Sequence, residues 1–349
     1  MSVFDSKLYE EQIGILAERI PEKECTILVT GATGMIGSCI IDTILYTDYK
    51  YGNRIKVVAS GRKLSRLQDR FNYSGMRQIS FIEQDIQQPF DADEPIDYII
   101  HTASNADPLK YSLYPVETML TNLYGTDNML KYCSAHKKTR ILLTSSFETY
   151  GKIINQDKYA EYDSGEIALN EIRSCYPESK RCAEILLRCY AKEYEVDGVI
   201  ARLCSIYGPT MEETDSKAHA QFIRNGISGK DIVLKSKGNQ RRTYCYLLDA
   251  VDAILKILFT GKSGEAYNVA NESCETSIAE LAQLIAKICG VKVIYERAGE
   301  IEQKGYSREQ NCILDNSKLR SLGWEGMYSL CEGVESTIKI LKEAGFLNE

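Results

Sequence analysis

Apolar residues along the chain fall into short β-branched runs separated by longer stretches of helical spacing. Runs at Thr26–Thr30, Ile55–Ala59, Ile79–Glu83, Tyr98–Thr102, Thr139–Thr144 and Gly198–Arg202 read as buried parallel strands. Helical patterns follow the first strand to about Tyr46 and cover Val116–Ala135 and Pro177–Glu195. Strand and helix in alternation build βαβ units, so the pattern predicts an α/β fold with a doubly wound parallel sheet. Upstream, residues 1–24 place Leu8, Ile13, Leu16 and Ile20 at roughly helical spacing, which predicts an N-terminal helical extension. Beyond about Gly208 the segments become shorter and more charged, with helices expected at Ala218–Ser228, Leu248–Phe259, Ser277–Cys289 and Cys331–Ala344. The expected division is therefore 1–24, a nucleotide-binding domain at 25–208, and 209–349 as mainly a smaller α/β lobe. Such a lobe would lie over the carboxyl ends of the strands, where open α/β sheets bind ligands.

Composition narrows the function. With 42 Lys and Arg against 49 Asp and Glu, the 349-residue chain carries a formal charge of −7. A nucleic-acid partner, which calls for a basic excess, is not expected. Neither is a membrane partner, because no run of about 18 apolar residues occurs. The first residues have no apolar leader core, and the expectation is a cytoplasmic protein. The 12 cysteines contain no Cys-x-x-Cys, so neither a disulfide framework nor a metal site is expected. Cys175, Cys182 and Cys189 recur every seven residues on one helical face and read as small hydrophobes in a core.

Candidate chemistry begins directly after the first strand. Gly31-Ala-Thr33-Gly34-Met35-Ile36-Gly37 joins that strand to a helix, the context a dinucleotide fingerprint requires. Its glycines allow a tight turn and bring the backbone close to a pyrophosphate on the helix N-terminus. Tyr176-Pro-Glu-Ser-Lys180 puts a phenol and an ammonium on one helical face. A nearby cation favours phenolate, so Tyr176 is expected to have a lowered pKa and to act as a base. Leu143-Thr-Ser-Ser146-Phe-Glu148-Thr-Tyr150-Gly151 follows the fifth strand and supplies a hydroxyl and a carboxylate.

The G-x-x-G-x-x-G spacing, the serine after the fifth strand and the Tyr-x-x-x-Lys, in that order, resemble the short-chain dehydrogenase/reductase superfamily, which has a Rossmann-type sheet. The resemblance covers most of the chain and is to the extended branch, the NAD-dependent epimerase/dehydratase family, whose members modify nucleotide-diphosphate sugars. It implies cofactor contacts from the glycine loop, Ser60, Arg62, the Asp85-Ile86 pair, Thr102-Ala103 after His101, Asn122, Tyr176 and Lys180. Ile206-Tyr-Gly208-Pro209 and Leu322-Gly-Trp324 match the same pattern. Arg242 stands where the family keeps an arginine on the sugar-nucleotide diphosphate, a task that suits a planar, forked cation. Arg308 aligns loosely with a second such position.

Ala106-Asp-Pro108-Leu-Lys-Tyr111 and Arg173-Ser-Cys-Tyr176-Pro-Glu178-Ser-Lys180 resemble the substrate loop and catalytic helix of UDP-glucuronate decarboxylases. Glu148 matches an acid of decarboxylases and 4,6-dehydratases that 4-epimerases lack. The resemblance implies Tyr176, Lys180, Ser146 and Glu148 as the catalytic set, with Tyr111, Arg173, Ser205, Arg242 and Arg308 toward the substrate. A 4-epimerase or 4,6-dehydratase is the alternative, and a non-catalytic dinucleotide sensor a distant one. Phe147 replaces the usual small or acidic residue, and Ser205 replaces an asparagine common in relatives. The second strand ends Ser60-Gly61-Arg62-Lys63 with two bases and no acid, which leans to NADP, whereas family habit favours NAD. The resemblance further implies a homodimer built on two long helices of each subunit.

Overall fold

The computed structural model describes residues 6–52, 54–72, 79–92, 94–296 and 311–346. A helix, α1 (Lys7–Ala17), is capped by Ser6, whose hydroxyl accepts from the Tyr9 N–H at 3.3 Å. It leads into β1 (Cys25–Thr30), α2 (Met35–Tyr51), β2 (Ile55–Gly61), α3 (Leu64–Arg70), β3 (Ile79–Glu83) and β4 (Tyr98–His101). Next come α4 (Pro108–Leu113), α5 (Pro115–Ala135), β5 (Arg140–Ser146), β6 (Lys158–Tyr159), α6 (Cys175–Tyr194), β7 (Asp197–Leu203) and β8 (Ser205–Tyr207). The remainder holds α7 (Ala218–Ile227), β9 (Ile232–Leu234), β10 (Arg241–Tyr246), α8 (Leu247–Thr260), β11 (Ala266–Val269) and β12 (Glu275–Ser277). It closes with α9 (Ile278–Cys289), β13 (Val293–Tyr295), β14 (Ile313–Leu314), α10 (Ser317–Arg320) and α11 (Leu330–Glu343).

Seven strands form one parallel sheet in the order β11-β7-β5-β4-β1-β2-β3, which is the Rossmann arrangement. Each strand points alternate residues to opposite faces, and both faces are buried. Ile27, Val29, Ile100, Leu142 and Val199 pack under α2 and α8, while Leu28, Ile99, Ile141, Leu143 and Ile200 pack under α5 and α6. The six expected strands all lie in this sheet. The seventh, β11, comes from beyond residue 208, after α8 has crossed back against β5 and β7. Its run Ala266-Tyr-Asn-Val269 is too short for periodicity to identify. The smaller lobe is built on a three-stranded sheet, β12-β10-β8, with β13-β9 and β14-β6 as two further pairs.

Two features of this topology place the site. Thr30 pairs in register with Ser60 on one side and His101 on the other, so the chain leaves β1 and β4 in opposite directions above that point. β8 pairs with β10, which sets Arg242 of the lobe over the carboxyl end of the main sheet beside Phe147.

Candidate active site

The glycine loop is a close approach of backbones. Gly31 has φ of +66°, and a Cβ there would stand 2.9 Å from the Ala103 backbone at the end of β4. Gly34 is the N-cap of α2 without a side-chain cap, and a Cβ on Gly37 would stand 2.5 Å from the Gly31 carbonyl oxygen. The first-turn N–H groups of Met35, Ile36 and Gly37 therefore sit at an uncapped helix N-terminus next to the half-buried Thr33. This cradle, which side chains would fill, fits a dinucleotide pyrophosphate. Thr102 donates to the Thr30 carbonyl at 2.6 Å, and the Ala103 N–H reaches the Thr30 hydroxyl at 3.3 Å, which pins the two strand ends together.

Around the cradle the predicted residues divide. Ser60 is buried, and its carbonyl accepts from the Ala32 N–H at 3.2 Å. Arg62 is 70 % exposed and sits 3.5 Å from Glu117 of α5, so its charge is shared with an acid the strand-end pattern did not reveal. Asp85 is exposed and accepts from the Gln87 N–H at 3.0 Å, while Ile86 is buried against Gly125. Asn122 is buried, with its amide donating to Ser179 at 2.9 Å and accepting from Ser104 at 2.8 Å. Ser179 donates in turn to the Tyr176 carbonyl at 2.9 Å, so Asn122 braces α6 from behind.

Ser146 ends β5 and caps a single 3-10 turn, accepting from the Glu148 N–H at 3.2 Å. Tyr176 enters from the first turn of α6 and is 5 % exposed. Its ring lies on that of Tyr111, centroids 4.4 Å apart and planes within 13°. Burial, with Glu148 adding, pushes the Tyr176 phenol up to about 12, while the Ser146 and Tyr111 hydroxyls and Arg173 pull the other way. The expected lowering by Lys180 is therefore not the state of the protein alone: desolvation dominates, and the Lys180 ammonium donates to the Thr144 carbonyl at 3.0 Å. Burial brings Lys180 itself down to about 8, partly offset by Glu184. Neighbouring His101, brought down to about 3 by burial and Lys180, is neutral and lies 2.8 Å from the Thr30 hydroxyl.

A cleft opens at the start of α6, next to Tyr176, lined by Phe147, Glu148, Lys152, Glu166, Arg173 and Arg242 among others; Ser146 and Tyr176 themselves lie behind its lining. Arg173 grips Glu148 with two hydrogen bonds, 2.5 and 2.8 Å, and both side chains are 15 % exposed. The Arg173 guanidinium also lies 5.4 Å from the centre of the Tyr111 ring. Arg242 reaches in from β10 over the Phe147 ring at 5.7 Å. The structure thus brings Ser146, Glu148, Arg173 and Tyr176 together with Arg242. Ser205 is half-buried on β8, in register with Tyr244, and does not line this cleft. Arg308 lies outside the described residues. Lys152 and Glu166, which pair across the flap that follows Gly151, were not singled out in the sequence because no spacing links them to the motifs. Of the seven-residue cysteine series only Cys175 is buried; Cys182 and Cys189 are exposed, which corrects the reading of all three as core hydrophobes.

A parallel sheet with a glycine cradle at its switch point and a serine, tyrosine and lysine at its rim defines a dinucleotide-dependent enzyme of the short-chain dehydrogenase/reductase type. The chain belongs to the NAD dependent epimerase/dehydratase family, whose model matches residues 27–270. It is 30 % identical over 310 residues to UDP-glucuronic acid decarboxylase 6 of Arabidopsis thaliana, covering 88 % of this chain and 86 % of that one. UDP-glucuronic acid decarboxylase 1 of Xenopus tropicalis is 29 % identical over 320 residues, covering 91 % and 72 %. Among solved structures, the fold matches dTDP-glucose 4,6-dehydratase from Streptomyces venezuelae with a TM-score of 0.77 at 24 % identity, over 92 % of this chain and 98 % of that one. UDP-glucuronic acid 4-epimerase from Bacillus cereus matches at 0.75 and 22 %, over 91 % and 99 %. The family description names NAD, and the matched dTDP-glucose 4,6-dehydratase and UDP-glucuronic acid 4-epimerase structures hold NAD.

Proposed function

We propose that this enzyme decarboxylates UDP-glucuronate to UDP-xylose through a transient 4-keto sugar. The observation that carries the reading is the Arg173–Glu148 pair in the cleft beside Tyr176, a forked cation and an acid placed where a charged sugar would meet the catalytic phenol. NAD, held by the glycine loop of Gly31, Gly34 and Gly37, would supply reversible hydride chemistry at C4. Tyr176 takes the proton of the C4 hydroxyl, and Ser146 hydrogen-bonds the same oxygen. Lys180 contributes positive charge behind the phenol, which favours phenolate during the transfer. A carbonyl at C4 is an electron sink, so the carboxylate attached at C5 leaves as carbon dioxide and its bonding electrons pass to an enolate. Arg173 orients that carboxylate and Arg242 holds the diphosphate; a proton from solvent, relayed by Glu148, replaces carbon dioxide at C5, and Tyr176 gives its proton back to the C4 oxygen as hydride returns to C4. The redox balance is zero. Incubation with NAD and UDP-glucuronate, read by mass spectrometry, tests this: loss of carbon dioxide supports it. A product of unchanged mass but altered sugar configuration would assign 4-epimerisation to the same site instead.

We further propose a homodimer in which α5 and α6 pair with their copies. Ile185, Cys182 and Cys189 on the outer face of α6 are exposed in the single chain, an apolar strip that a second copy would cover. A monomer in light scattering at micromolar concentration would overturn the dimer. All twelve cysteines are free thiols, which suits the reducing environment of a cytoplasm. Among the described residues no helix is long and apolar enough to cross a membrane.

A further inference from the structure

Below Tyr176 and Lys180, the next turn of the same helical face carries Glu184, a carboxylate only 2 % exposed. It accepts from the Ser145 hydroxyl at 2.6 Å, from Arg202 Nε at 3.0 Å and from Arg202 Nη2 at 2.7 Å, and Arg188 lies 3.5 Å away. Arg202, on β7, is almost as buried; its remaining nitrogen donates to the Glu161 carbonyl at 2.9 Å and its guanidinium lies 4.8 Å from the Tyr150 ring centre. A buried ion pair of this kind is a poor source of stability, since desolvation offsets most of the attraction. Its placement has another consequence.

Lys180 is a buried ammonium whose hydrogen bond goes to a neutral group, the Thr144 carbonyl. The charged and titratable groups around it are Tyr176 and Glu184 on α6, neutral His101 on β4, and Arg202 on β7 and Arg188 on α6 behind Glu184; α5 contributes the Asn122 amide. Glu184 is thus the anion of this neighbourhood, and Arg202 sets how much of its charge Lys180 feels. We propose that Glu184 is a positioning residue that keeps Lys180 protonated, with Arg202 as the counterweight and Ser145 as the anchor to β5. Its catalytic consequence rests on the role proposed above for Lys180. Burial alone drives the Lys180 ammonium down, and Glu184 opposes that drop. Removing the carboxylate lets Lys180 lose its proton at lower pH. Removing Arg202 leaves the carboxylate with Arg188 as its only cationic partner among the described residues besides Lys180, so Lys180 feels more of its charge and holds its proton to higher pH.

The opposite signs are what a purely structural role would not produce. The test follows the lysine side-chain resonances of protein carrying carbon-13 lysine through a pH titration, with Lys180→Arg assigning the signal. The expected result is a Lys180 midpoint lowered by about one pH unit in Glu184→Gln, a tenfold loss of proton affinity, and raised by a similar amount in Arg202→Gln. The Glu184→Gln/Arg202→Gln double variant returns close to the parent. If one single variant does not fold, the other carries the test with its own sign. Equal midpoints in parent and folded variants, or shifts of the same sign, would overturn the proposal. This readout uses no sugar nucleotide, so it separates from the reaction. The alkaline limb of turnover with NAD and UDP-glucuronate is expected to move with the midpoint. Shifted midpoints in a protein inactive on that substrate would fault the substrate reading and leave the tuning intact.

Discussion

The ring of Tyr111 lies flat against that of Tyr176, 4.4 Å between centroids, so the Tyr176 phenol, the proposed base, is held by an aromatic plate from the short helix α4. The plate fixes the plane in which the phenol can swing and excludes water from one face. Tyr111→Leu is expected to lower kcat by roughly 10²-fold, because misplacement of a catalytic group by about an ångström costs that much. Dinucleotide affinity should stay within about twofold, since among the described residues Tyr111 packs on Tyr176 and Cys175 and is not a neighbour of Gly31, Gly34 or Gly37. Steady-state kinetics beside a binding titration check both halves.

Gly37 is the strictest position of the cradle. A methyl group there would stand 2.5 Å from the Gly31 carbonyl oxygen and 3.1 Å from the Thr102 hydroxyl, and the first of these is backbone that cannot swing aside. Gly37→Ala should therefore displace the loop and abolish dinucleotide binding, measured as loss of the calorimetric binding signal. Gly52→Ala, at the solvent end of the same helix, meets nothing within 4 Å and serves as the contrast, although its φ of +67° strains the backbone.

Much of this machinery was legible in the sequence because it depends on local spacing. The glycine loop is defined by three residues in seven. Tyr176 and Lys180 are one helical turn apart, and Ser146 and Glu148 sit at a strand end, so strand and helix periodicity put each in its place. What escaped depends on distant chain segments meeting. Glu117 reaches Arg62 across two elements, β11 joins a sheet whose other strands end before residue 204, and the burial that raises Tyr176 is a sum over the whole neighbourhood. The cysteine series misled for the same reason. A seven-residue repeat fixes a common face, but the lower part of that face looks outward, and only Cys175 is covered, beside Tyr111.

The Arg173–Glu148 pair predicts a distinction between charge and geometry. Arg173→Lys keeps the charge but loses the fork that holds two oxygens at once. It should raise KM for UDP-glucuronate at least tenfold and leave binding of NAD unchanged. Comparable losses in both would place Arg173 in the fold instead of the substrate site.

Acid stability follows from the buried histidines. His101 is brought down to about 3 and His219 to about 4, chiefly by burial, from an ordinary value of 6.5. Below that value the unfolded chain takes up protons that the folded one does not, so stability falls as pH drops from neutral. Between pH 7 and 5 His101 alone should account for a loss of about 2 kcal/mol. Urea midpoints at the two pH values measure the loss, and His101→Asn should reduce the difference.

In the proposed reaction Tyr176, Ser146 and Lys180 run a redox-neutral cycle at C4, with the hydride returned to the carbon it left. UDP-glucuronate deuterated at C4, turned over with unlabelled NAD in excess, tests it most directly. The decarboxylated product is expected to retain the deuterium at C4, read by mass spectrometry. Deuterium absent from the product and found on released cofactor would contradict it.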